Sequence, residues 1–115
     1  MSAAFIARTL ALRTAAHQLH LTSTSYAQHV ALDEFYTGLV PLVDSFAEVY
    51  MGLATRITAF PPVMPPAGEP TALLDQYLDL VAAELEVQTS ESLKNILAGI
   101  EELTARTIYK LKNLK

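Results

Sequence analysis

Apolar residues in the first twenty positions fall on two stripes. Ile6, Leu10 and Leu21 make one, and Phe5, Leu12, Ala16 and Leu19 make the other. This pattern predicts a helix over about 3–21, α1, buried over a broad arc. The run Thr22, Ser23, Thr24 and Ser25 interrupts it, and Ser25 with Gln28 three residues on matches a capping box, in which two side chains satisfy free backbone donors. A second helix, α2, is expected over about 26–59. Pro41 lies inside it without the amide that would bond the carbonyl of Thr37, which predicts a kink. Pro61, Pro62, Pro65, Pro66 and Pro70, with Gly68, make 60–69 an extended connection. Leu73, Leu74, Tyr77, Leu78, Val81 and Leu85 then predict α3 over about 71–87, and Thr89 or Ser90 can cap α4 over about 91–113, with Leu93, Ile96, Leu97, Ile100, Leu103, Ile108 and Leu111 inward. Four helices with one long connection describe an all-α four-helix bundle in a single domain, 1–115.

Composition agrees with packed helices: 51% of residues are hydrophobic, 17% are charged and only 4 are Gly. At 115 residues the chain can bury a core, yet it is small enough for assembly with copies of itself to add stability. The net charge of −4 argues against a protein that grips phosphate backbones. There are no cysteines, so thiol catalysis and sulfur-ligated metals are excluded and any metal must be held by His and carboxylates. Arg8 interrupts the first apolar stretch, no window reaches about 18 apolar residues, and no small-residue cleavage pattern follows; the expectation is a cytoplasmic chain with no membrane segment and no secretion signal.

The chemistry concentrates on α2. His29, Asp33, Asp44 and Glu48 are separated by 4, 11 and 4 positions and fall on one stripe about 100° wide. The pair 29/33 lies about 16 Å along the helix from the pair 44/48, too far for one chain to present all four to one metal. The spacing is symmetric about a point between 38 and 39. A second α2 crossing there head to tail would set His29 against Glu48 and Asp33 against Asp44, completing the site twice across a two-fold axis. Gly38 lies almost at that crossing, where a missing side chain would let two backbones approach. His17 shares the Ile6, Leu10 and Leu21 stripe, so a polar ring among core residues needs a partner, and a metal would be one. Carboxylate oxygen and neutral imidazole suit Fe(II), Zn or Mn, and a carboxylate-rich set inside a helical bundle makes iron the leading candidate.

The order His17, His29, Asp33, Asp44, Glu48, with gaps of 12, 4, 11 and 4, resembles the ferroxidase signature of the Dps mini-ferritins. The ending Thr107–Leu114, TIYKLKNL, resembles that family's C-terminal helix. The resemblance implies a shortened ferritin-like bundle that assembles as a homo-oligomer and oxidises Fe(II) to Fe(III) at a di-iron site between subunits. It implies that His17, His29 and Asp33 hold one iron, that Glu48 of the partner bridges, and that Asp44 assists at the second position. The chain departs from the pattern at Gln18, where the family usually has Trp, and it lacks the family's Lys-rich tail, so DNA binding is not carried over.

Other residues have plainer readings. His20 is expected at the surface or an interface rather than as a sixth ligand. Tyr26 and Tyr36 are expected in the core or a dimer contact, with Tyr36 able to hydrogen-bond near the site. Glu84, Glu86, Glu91, Glu101 and Glu102 are expected on solvated faces. A rival to the iron hypothesis is a non-enzymatic helical assembly or adaptor protein, such as a phage component, that keeps the polar stripe as an interface.

Overall fold

The computed structural model describes residues 2–115. Its helices are α1 (Ser2–Thr22), α2 (Tyr26–Leu53), α3 (Pro70–Val87) and α4 (Glu91–Asn113), and they form the all-α four-helix bundle read from the pattern. Local chemistry sets the helix starts. The Ser25 hydroxyl accepts from the Gln28 amide at 3.3 Å, and the Ser90 hydroxyl accepts from Leu93 at 3.3 Å. α3 begins one residue earlier than expected, because Glu69 caps it, accepting from the Ala72 amide at 3.0 Å, and Pro70 can occupy the first position, where no amide bond is lost.

α2 ends at Leu53 rather than near 59. The reason is tertiary. The pairs Gly38–Leu103 and Leu42–Gly99 set the α2–α4 register, so the first residues of α4 lie opposite about residue 50. The pair His20–His29 sets the α1–α2 register, so the start of α1 lies opposite about residue 47. Beyond those points a longer α2 would have nothing to pack against, and helices of marginal propensity stop where packing stops. The helix runs through Pro41 without a break; that ring lies on the exposed face, where water can satisfy the Thr37 carbonyl.

α1 packs on α2 and α3, and α4 packs on the same two, so α1/α4 and α2/α3 are diagonals. Every neighbouring pair is antiparallel: Ser2 meets Glu84 and Thr9 meets Tyr77 across α1/α3, as Glu34 meets Lys110 across α2/α4. α2 and α3 therefore point the same way, and residues 54–69 must travel back along the bundle, which is 43 Å long. Extended proline-rich chain at about 3.1 Å per residue covers that distance, which a helix of the same length would not. One long crossover is a connectivity that many unrelated bundles share, and it carries no chemistry by itself.

The crossover covers part of α1, at Ala11. Ala3, Ala7, Ala11 and Ala15 recur every fourth residue on the side away from the core, yet each is at least nine-tenths buried. Val63, Met64 and Pro66 of the crossover stand over α1 and α3 there, and Ile57 packs against the core.

The core is built on Phe5, Phe35, Leu39, Val43, Phe46, Tyr77, Leu97 and Ile100. Phe5 meets Phe46 edge-on at 5.3 Å and stacks on Tyr77 at 6.1 Å. The Tyr77 phenol, pushed upward in pKa by burial, bonds Thr9 Oγ1 at 2.7 Å; Thr9 donates to the Phe5 carbonyl, so Tyr77 is the donor to Thr9. Glu84, expected on a solvated face, is buried instead. Its carboxylate accepts from the Ser2 hydroxyl at 2.8 Å and from Gln88 Nε2 at 2.7 Å, tying the end of α3 to the start of α1, where the helix dipole favours an anion. No helix among the described residues is long and apolar enough to cross a membrane.

A candidate functional site at the helical turn

The three histidines of the chain meet at one end of the bundle. The turn Ser23–Ser25 is short, so residues just before and just after it are forced into register. His20 Nδ1 bonds the His29 carbonyl at 2.8 Å, and His29 Nδ1 bonds the His20 carbonyl at 2.8 Å. A carbonyl only accepts, so each Nδ1 carries a proton, and the tautomer this selects has its lone pair on Nε2. The two rings stack at 3.8 Å with planes 20° apart. His17, one turn earlier, lies flat on Tyr36 at 4.2 Å and 14°, with its centroid 6.0 Å from that of His20. The edge of Tyr36 also meets His20 at 5.5 Å.

Asp33 is exposed beside this cluster. Partial desolvation, then the Asp33 carboxylate as hydrogen-bond partner and negative neighbour, push the Tyr36 phenol above its ordinary pKa, while Arg13 pulls it back. Asp44 and Glu48 are exposed three to four turns further along α2.

The structure thus brings His17 and His29 together, sets Asp33 at their edge and leaves Asp44 and Glu48 outside. It adds two residues that the sequence reading put elsewhere. His20, expected at the surface or an interface, is 9% exposed and central to the cluster. Its signal was present in the i, i+3 spacing from His17, which puts both rings on one helix face one turn apart. Tyr36 is a stacking platform, whereas Tyr26, expected in the core or a dimer contact, is 82% exposed on the single chain, its ring 6.5 Å from His29.

What can this arrangement do? A metal binds in the plane of each imidazole, so two ligating rings must have planes that converge on the ion. The stacked rings of His20 and His29 have nearly parallel planes, with centroids 3.8 Å apart, so they do not converge on one ion. Among the described residues no group of three or more His, Asp or Glu is arranged to hold a metal. Within one chain the cluster is aromatic packing with its Nδ1 protons committed.

Gly38 has a role within the single chain. A Cβ there would lie 3.3 Å from Leu103 Cδ2, so the missing side chain serves the α2–α4 contact inside the chain. Beside it a polar groove is lined by Asp33, Glu34 and Thr37 on α2 and by Arg106, Thr107 and Lys110 on α4. Its cations are already paired, Lys110 with Glu34 at 3.3 Å and Arg106 with Glu102 at 2.7 Å.

A closed histidine and tyrosine cluster in a four-helix bundle with one crossover defines this chain as a helical module without a preformed cleft at its turn. The chain belongs to the family of unknown function DUF5856, which matches residues 20–111. It is also similar to an uncharacterized 14.6 kDa protein in the mobD-ri intergenic region of Enterobacteria phage T4, with 36% identity over 67 residues. That match covers 55% of this chain and 51% of the phage protein, so it spans about half the length of the curated relative. No solved structure matches.

These findings correct the resemblance to the Dps mini-ferritins: the family shown is DUF5856, and the relative is a phage protein of another description. The physical reason is that gaps of 4 and 11 are near-integral numbers of helical turns, so any helix with a polar stripe reproduces them. Only His17 lies on the other helix, and it is outside the matched range.

Proposed function

We propose that this chain is a non-enzymatic helical assembly module that associates with copies of itself through the turn end of the bundle. The observation that carries the reading is the contrast at that end. The polar rings are closed on one another, while Leu21 and Tyr26 stand 67% and 82% exposed beside them. Large apolar side chains left in water next to a rigid turn favour a protein contact. Tyr109 and Leu114 are also exposed near the end of α4, a helix that runs back to the same end and there carries Arg106, Lys110 and Lys112. The exposed acids Asp33, Asp44 and Glu48 on α2 supply the matching charge on a second copy.

Sedimentation equilibrium tests the reading. Association should be concentration-dependent, weakened by Tyr26→Ser and by salt, and unchanged by chelator, and the purified protein should carry no stoichiometric iron. A monomer at every concentration would overturn it.

A second reading is an inter-subunit di-iron site of ferroxidase type, favoured by one observation: Asp33, Asp44 and Glu48 are all exposed on one stripe of α2, where a second copy could reach them. His17 and His29 would have to leave their stacks to join. Anaerobic Fe(II) addition followed by oxidant, watched in the near ultraviolet, decides it: oxidation must slow in Asp44→Ala and Glu48→Ala. Both readings take the chain to act in the cytoplasm.

A further inference from the structure

The crossover does not settle fully onto the helices it covers. Between it, α1 and α3 lies a groove of about 310 Å³, open to solvent and at the small end of the range for ligand pockets. Leu12 and Tyr77 form its floor and one wall, and Val63 and Met64 form its roof. The Tyr77 hydroxyl is spent on Thr9, so that residue presents its ring to the groove rather than a polar group.

Two features argue against an incidental gap. Apolar side chains left facing water cost stability, and flexible chain would collapse to cover them. Here the roof is flanked by Pro61, Pro62, Pro65 and Pro66, whose fixed φ angles hold the strap extended and away from the groove. The second feature is Arg8. It lines the groove, is exposed, and has no carboxylate within 4.0 Å among the described residues, although the chain carries 12 acids to 8 cations. An apolar hollow with one unpaired guanidinium is complementary to a molecule with an apolar body and an anionic head, because the guanidinium fork can bond both oxygens of a carboxylate.

We propose that this groove binds a small amphiphilic carboxylate, its hydrocarbon part between Leu12, Tyr77 and Met64 and its head on Arg8. The site is independent of the association proposed above, since it lies under the crossover and not on the exposed apolar residues of the turn.

Calorimetric titration of the full chain with decanoate tests it, with decanol as the uncharged control. One decanoate should bind per chain, more tightly than decanol. Arg8→Gln should weaken decanoate about tenfold or more while leaving decanol unchanged. Gln76 lines the same groove and is exposed, so Gln76→Trp should obstruct the entrance without loading the core, and should weaken both ligands. Far-ultraviolet circular dichroism checks that both variants are folded. No binding by the native chain, equal affinity for decanoate and decanol, or binding indifferent to Arg8→Gln or to Gln76→Trp would each overturn the proposal.

Discussion

The first turns of α2 and its later turns carry the same kinds of residue on the same stripe, yet the fold treats them differently. His29 is half-buried, stacked and hydrogen-bonded through its backbone and its ring. Asp44 and Glu48 are exposed and make no ion pair among the described residues. The difference comes from what lies opposite. Near the turn α1 ends in His17 and His20, so the polar side chains of two helices find each other. Further along, α2 turns the stripe to water, and α1 and α4 take the apolar face that holds Phe35, Leu39, Val43 and Phe46. A stripe that is continuous in sequence is therefore two environments in the fold, a closed cluster and an open acidic face.

The largest effect should come from breaking the closed end. His20→Ala removes a nearly buried ring and opens a cavity beneath Tyr36, and should cost about 2 kcal/mol in urea denaturation. Gly38→Leu comes next. It forces a side chain against Leu103 and should cost about 1–3 kcal/mol, whereas a glycine reserved for a contact with a second chain would leave the isolated monomer unaffected. Asp33→Asn should lower the Tyr36 phenol pKa toward its ordinary value, seen in ultraviolet titration as an earlier tyrosinate rise.

A smaller effect belongs to Glu69, whose carboxyl is held below its ordinary pKa first by the Ala72 amide. A depressed carboxyl stabilises above its unfolded pKa, so this contribution is present at neutral pH and fades as pH falls through the carboxylate range. In Glu69→Gln that part of the acid dependence should be missing from amide exchange in the first turn of α3. The smallest effect is expected on the open stripe: Asp44→Ala and Glu48→Ala should each shift stability by no more than about 0.5 kcal/mol.

The helices were legible because their signals are local. The Ser25 and Gln28 box, the Ser90 cap and the apolar spacing of α4 are read within a few residues of where they act. The end of α2 was not legible in the same way, since it depends on where α1 and α4 run out. The same holds for the site. Spacing placed His29, Asp33, Asp44 and Glu48 on one face correctly, but it could not say that His20 would turn inward to meet His29. That outcome is fixed by the tight turn at Ser23–Ser25 and by the His20 carbonyl, which lies in the last turn of α1 without a helical donor and accepts from His29 Nδ1. Glu84 was misplaced for a related reason: its partners Ser2 and Gln88 come together only when α3 packs on α1. The family resemblance failed because it counted helical turns, which many helices share.

The most direct test of the central claim, that the turn cluster is closed packing within one chain, is a long-range proton–nitrogen spectrum of the three imidazoles with and without metal. Zn(II) serves as a probe that leaves the signals sharp. The account predicts that neutral His20 and His29 carry their proton on Nδ1 and that equimolar Zn(II) leaves their nitrogen shifts unchanged. Protons on Nε2 in either ring, or nitrogen shifts that saturate at a fixed ratio of zinc to chain, would contradict it.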